Sequence, residues 1–183
     1  KGKGGMMYPG GNYFFPKADY VDEYPMMQKG GLVPIIVNNP KDPRLKAYKD
    51  SGGIATIGYG NTSYVLVPSI AKRFGRNAVK MGDTITLAEA DALLNANIDV
   101  LATKITQSLK RPNPTKNELA ALISLGYNIG IYGLLNSSVF KLYNVGTPVL
   151  ETAKQFDKYV YAGGERNKGL VNRRAAEKKI FTA

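Results

Sequence analysis

From Gly82 to the C-terminus the apolar positions recur at helical spacing. Leu87, Ala90, Leu94, Ile98, Leu101 and Ile105 share one face of a long helix. Thr86 with Glu89 predicts a capping box at its start. Pro114-Thr115 followed by Glu118 opens a second helix in the same way, with Leu119, Leu122, Ile123 and Leu125 expected in the core. Further helices are expected over 137–143, 149–161 and 170–181, with Gly133, Gly146 and Gly163-Gly164 punctuating them. Upstream the period changes, and 45–67 favours a small β-sheet. Ile54, Thr56 and Tyr59 suit strands, Ser51-Gly52-Gly53 supplies a turn that needs positive φ, and Gly58 and Gly60 permit close approach of backbone or ligand. The segment 68–80, carrying Lys72, Arg73, Arg76 and Lys80, reads as a basic insertion or hairpin edge that can guide a polyanionic strand or simply be solvated.

Residues 1–31 show neither period. Seven glycines, Pro9, Pro16 and Pro25, six Tyr or Phe residues and the pairs Met6-Met7 and Met26-Met27 make an extended arm, with aromatics that a pure linker lacks. The arm is expected to dock on a partner chain or on its own globular part, or to be an unstructured tail. An apolar run, Leu32 to Val37, and a loop broken by Pro40 and Pro43 lead into the sheet. The organisation expected is an arm over 1–31 and one domain over 32–183, with a small β lobe at about 45–82 and a helical lobe at about 83–183. The fold class is α+β, mainly α, with a cleft between the lobes.

The chain has no cysteine and no histidine. That removes disulfides, thiolate nucleophiles, Ser-His-Asp and Cys-His hydrolases, and the His-ligated zinc of amidases and peptidases, so carboxylate-driven hydrolysis is the easiest chemistry to assemble. No metal and no cofactor is expected. A net charge of +11 draws the protein to polyanions: nucleic acid, an anionic membrane face or a bacterial envelope. No nucleic-acid motif accompanies the charge, so specific nucleic-acid binding ranks last. No apolar run approaches the roughly 20 residues of a membrane span, and no charged-then-apolar leader is seen.

The stretch Ala47-Tyr48-Lys49-Asp50-Ser51-Gly52-Gly53-Ile54-Ala55-Thr56-Ile57-Gly58-Tyr59-Gly60-Asn61-Thr62 resembles the active-site hairpin of the phage-type lysozymes, glycoside hydrolase family 24. The resemblance continues, in the family's order, through Gly82 to Thr86 with Glu89-Ala90, Ala121 to Ser124 with Tyr127-Asn128-Ile129-Gly130, and Gly169 to Glu177 with Ile180-Phe181. It covers residues 44–183 and implies a lysozyme-like two-lobe fold whose cleft takes the sugar chain.

The resemblance also implies roles. Asp50 and Thr56 would position and activate a water, and a Glu nine residues before Asp50 would be the general acid. That position is Lys41. Its ammonium, with an ordinary pKa near about 10.4, gives up a proton reluctantly. Asp42 is the nearest replacement acid, although its cationic neighbours Lys41 and Arg44 favour the ionised form and a proline-rich loop carries it. Glu23 could fold back from the arm. Asn61 stands where the family often has His and can bond sugar hydroxyls. Tyr59 is either a sugar-stacking ring or core, and Asn128 either a cleft contact or a polar cap. Arg173, Arg174 and Glu177 belong to a block that the resemblance covers, and Arg174 and Glu177 read as scaffold, since an Arg and a Glu three apart on one helix can pair.

Two functions are expected from this set. One is a muramidase acting on peptidoglycan glycan strands in host-wall breach or lysis. The other is a catalytically impaired peptidoglycan-binding or structural virion component, with residues 1–31 contacting other virion proteins. Both place the protein in a phage virion or in the host envelope or periplasm.

Overall fold

A computed structural model describes residues 43–183 except Ser51, together with the backbone of two short antiparallel strands, β1 (Met6–Met7) and β2 (Tyr13–Phe14). The rest of the arm, the run 32–37, Glu23, Lys41 and Asp42 lie outside the described residues.

The small lobe is built on an antiparallel hairpin of β3 (Arg44–Lys49) and β4 (Ala55–Gly58), in register at Tyr48↔Thr56 and Lys49↔Ala55. The expected turn is there. The Asp50 N–H donates to the Ile54 carbonyl (3.0 Å) and the Gly53 N–H to the Asp50 carbonyl (3.0 Å). Gly53 has φ +76, and a Cβ there would meet nothing within 4 Å, so glycine is required by backbone conformation rather than by space. Single bridges, Lys46 to Thr84 and Ile57 to Asn61, tie later segments to the hairpin, and a third joins Ser63 to Ala78 beyond it.

Residues 68–74 are not a hairpin edge. They form α1 (Pro68–Phe74), opened by a proline at its first position and closed by Gly75 at φ 64. Ile70 is the helix's buried residue and Phe74 packs beside it on the same core. The basic residues that suggested a loop, Lys72 and Arg73, occupy the last turn, where a cation suits the helix dipole. The lobe's core is Ala47, Ile57, Tyr64, Ile70, Val79 and Ile85, with Ala90 and Leu93 from the next helix.

That helix, α2 (Leu87–Ser108), has the expected capping box: the Glu89 N–H donates to Thr86 Oγ1 (3.1 Å) and the Thr86 N–H to Glu89 Oε2 (2.8 Å). Its buried stripe is Ala90, Leu93, Leu94, Ile98, Leu101, Ala102 and Ile105. Leu87, expected on this stripe, is 53% exposed, because the first helical residue lies beyond the edge of the core. The core is shared along the helix: Ala90 and Leu93 belong to the small lobe, and Leu94 onward to the helical one.

Helix α3 (Lys116–Ile129) carries the second capping box, and residues 118–126 are all buried, so it is surrounded rather than striped. Around it lie α4 (Ile131–Asn136), α5 (Ser138–Asn144), α6 (Val149–Ala153), a 3₁₀ turn (Lys154–Lys158) and α7 (Lys168–Phe181). Gly133 is inside α4; the break is made by Gly130 at φ 80. The helix expected over 149–161 ends early, and β5 (Tyr161–Ala162) pairs with β6 (Glu165–Arg166). Gly163 and Gly164, at φ 60 and 84, provide the two consecutive positive angles that a tight hairpin needs.

Asp83 organises the small lobe's polar interior. Its Oδ2 accepts from the Tyr64 hydroxyl (2.8 Å) and the Lys80 N–H (2.9 Å), and its Oδ1 pairs with Arg76. Tyr64 stacks on Phe74, with centroids 4.7 Å apart, and the guanidiniums of Arg73 and Arg76 lie near the Phe74 ring. Burial alone would raise the Asp83 pKa, but the Lys80 N–H, the Tyr64 hydroxyl and Arg76 outweigh it and hold the carboxyl low. Burial and the Asp83 charge push the Tyr64 hydroxyl up. A carboxyl lowered on folding stabilises the fold above its unfolded pKa of about 3.9, and that contribution is lost as pH falls through the folded value. Asp83→Asn is therefore expected to cost about 1.5–3 kcal/mol at neutral pH. Melting curves at pH 7 and pH 3 should show a smaller acid-induced drop in the variant than in the parent.

Candidate active-site cleft

A groove of about 300 Å³ runs between the lobes. One wall is the segment 60–66 of the small lobe, and the other is Asn97, Val100 and Leu101 of α2 with Gly126, Tyr127, Gly130 and Ile131. Asn61 lines it. Its backbone N–H and carbonyl both pair with Ile57 (2.8 Å each), which bends the chain after β4 back on itself. The Asn61 side chain is buried, with Oδ1 lying 3.4 Å from where a Cβ on Gly58 would sit.

Asp50 and Thr56 both bond to the backbone of one hairpin residue, Ile54. Asp50 Oδ1 accepts from the N–H of Gly52 (2.9 Å) and of Ile54 (2.8 Å). The Thr56 hydroxyl donates to the Ile54 carbonyl (3.0 Å), the same oxygen that takes the Asp50 N–H. The turn thereby orients both side chains locally. Thr56 is 3% exposed and Asp50 half-buried.

Tyr59 is half-buried, and its ring packs against the cores of both lobes. Its hydroxyl donates to Asp91 Oδ1 on α2 (3.0 Å), and its carbonyl accepts from the Tyr127 hydroxyl of α3 (3.1 Å). Asn128 is exposed, and its Oδ1 accepts from Arg174 (3.0 Å). None of Asp50, Thr56, Tyr59 and Asn128 is among the residues that line the groove, whereas Asn61 and Tyr127 are. For Tyr127, its position beside Asn128 was the available signal; its reach across to the hairpin was not legible.

Behind the cleft, Arg173, Arg174 and Glu177 form a buried ionic cluster. Glu177 Oε1 accepts from Ser124 Oγ (2.6 Å), Arg173 Nε (3.1 Å) and an Arg174 terminal nitrogen (2.9 Å), while Oε2 lies 2.7 Å from Arg174 Nε. Arg173 also donates to the Ser124 carbonyl (3.0 Å), and Arg174 to the Tyr159 carbonyl (3.3 Å). The expected scaffold thus joins α7 to the cleft end of α3. Burial lowers the Arg173 pKa, and the Glu177 charge opposes that shift. Among the described residues, no group of His, Cys, Asp or Glu could hold a metal ion.

A hairpin lobe and a helical lobe sharing one long helix, with a groove between them and a carboxylate and a hydroxyl on the hairpin turn, define a lysozyme-like fold. The chain belongs to the Phage lysozyme family, whose model matches residues 42–177. Its members are muramidase-type, peptidoglycan-degrading enzymes, and phage endolysins act on the host cell wall. The chain is 32% identical over 151 residues to an endolysin of Acyrthosiphon pisum secondary endosymbiont phage 1, covering 80% of this chain and 92% of that one. Its structure resembles an endolysin from Escherichia coli O157:H7 phage FAHEc1 (TM-score 0.67, 32% identity, 85% and 92% covered). It also resembles the muramidase domain of SpmX from Asticaccaulis excentricus (TM-score 0.65, 28% identity, 82% and 94% covered). No described helix is long and apolar enough to cross a membrane.

Removing the single carboxylate of the ionic cluster leaves two buried guanidiniums without a counter-charge. Glu177→Gln is expected to destabilise by about 3–5 kcal/mol, read as a fall in the denaturant midpoint.

Proposed function

We propose that the chain hydrolyses the β-1,4 bond between N-acetylmuramic acid and N-acetylglucosamine in peptidoglycan, with the glycan strand in the interlobe groove. The observation that carries this reading is the anchoring of both Asp50 and Thr56 on the backbone of Ile54. Asp50 Oδ1 is taken up by the turn, so Oδ2 is the oxygen that receives a proton from the attacking water. The Thr56 hydroxyl donates to the backbone and keeps acceptor lone pairs for a water hydrogen. A water held by these two groups attacks the face opposite the leaving oxygen, as in an inverting glycosidase, where the two carboxyls stand about 6.5–9.5 Å apart. Asn61, Asn97 and Tyr127 line the groove. Tyr59 and Asn128, whose polar groups are engaged within the protein, hold its walls.

Asp42 is assigned as the acid, one residue from the family's Glu position, now Lys41. Lys41 also favours a second reading: a domain that binds glycan strands with weak cleavage or none, pinned by residues 1–31 to other proteins of a virion. General acid catalysis is worth about 10²–10⁴ in rate, and this separates the two. Release of reducing ends from purified peptidoglycan should be slow, should be abolished by Asp50→Asn and reduced by Asp42→Asn, and should rise by about 10²–10⁴ in Lys41→Glu. Pelleting of protein with peptidoglycan, with no reducing ends from either the parent or Lys41→Glu, would establish the binding reading instead.

A further inference from the structure

Each lobe has its own apolar core, and the two meet along α2, whose first turns belong to one and whose later turns belong to the other. A shared rod of this kind allows the lobes to tilt unless polar contacts across the groove oppose it. Tyr59 follows the strand that carries Thr56, and it is held at three places on α2, α3 and the two cores. Its ring packs on both cores, its hydroxyl is bonded to Asp91, and its carbonyl accepts from the Tyr127 hydroxyl, 68 residues away. The flanking glycines set that carbonyl's direction: Gly58 has φ +62 and Gly60 φ +102, angles that other residues rarely adopt. Tyr127 lies on the buried helix α3 and itself lines the groove beside Gly126 and Gly130.

We propose that the Tyr127 hydroxyl is a positioning group, a clasp that draws the Asp50–Thr56 hairpin against α3 and so sets the width of the groove. Its catalytic part rests on the hydrolytic reading above; the clasp itself does not. When the bond is intact, the hairpin and the helical lobe face the substrate at one separation. Without it, the hairpin samples wider positions in which the held water no longer meets the sugar bonded between the lobes. Tyr127→Phe removes only the oxygen and keeps the ring.

The chain has no cysteine, so spin labels can be placed cleanly at Lys72→Cys on α1 and Lys141→Cys on α5, both exposed. Pulsed electron resonance on the full chain should give one narrow distance distribution. Tyr127→Phe should add a second population, shifting the ratio of closed to open forms by roughly two- to tenfold, the worth of one hydrogen bond. Asn97→Ala, in the same groove but outside the clasp, should keep the narrow distribution. Identical distributions for Tyr127→Phe and the parent, or equal broadening in Asn97→Ala, would overturn the proposal. On peptidoglycan, Tyr127→Phe should lower kcat more than it lowers the protein pelleted; an equal loss of both would assign Tyr127 to substrate binding instead. If the parent shows no turnover, the hydrolytic reading falls while the distance measurement still decides the clasp.

Discussion

The buried pairing of Arg173 and Arg174 with Glu177 is the constraint around which the helical lobe is arranged. Three ionisable groups out of water are tolerable only if each finds a partner, and the partners are distributed over the fold: Ser124 and Asn128 on α3, and the Tyr159 carbonyl after the 3₁₀ turn. The Tyr159 hydroxyl in turn accepts from the Ser138 N–H at the start of α5. Satisfying one cluster therefore sets the relative placement of α3, α5 and α7. Because α3 also carries Tyr127, the same cluster reaches the wall of the groove. A second polar anchor fixes the other end of α3, where Glu118 closes the capping box and accepts from the buried Tyr143 hydroxyl (2.9 Å).

The small lobe answers to a different logic. Its apolar core is small and borrows Ala90 and Leu93 from α2, so much of its definition comes from hydrogen bonds: the Asp83 hub in the interior and the self-bonded turn at Asp50. A carboxylate that closes a turn by accepting backbone N–H groups is oriented by covalent neighbours rather than by distant packing. That suits the role proposed for Asp50, holding a water in place, since local bonds survive small shifts of one lobe against the other.

Family membership and Lys41 at the position proposed for the acid pull in opposite directions. The family match begins at residue 42, one residue after Lys41, and the hairpin that carries Asp50 and Thr56 has its turn bonds intact. In the proposed mechanism Lys41 bears on the leaving-group side. A cleft that lacked its acid but held a water at Asp50 and Thr56 as proposed would still bind the polymer with much reduced turnover, which is why rate, rather than binding, separates the proposed readings.

Much of this architecture was legible along the chain. The capping boxes at Thr86 and Thr115, the glycine turn at Gly53 and the helical periods are local, decided within a few residues by hydrogen bonds and backbone freedom, and they came out where the sequence places them. The misreadings share a cause. Residues 68–74 became a helix because Pro68 starts one and the apolar core receives Ile70, while the helix expected over 149–161 gave way to a hairpin at Gly163-Gly164; in both, competing local signals were settled by packing. The site divides the same way. Asp50 and Thr56 could be read from one stretch of sequence, and the pairing of Arg174 with Glu177 from helical spacing. The groove's far wall, the two-lobe sharing of α2 and the bond from Tyr127 to Tyr59 join residues tens of positions apart, and only tertiary structure could decide them, because no local period encodes which buried faces meet.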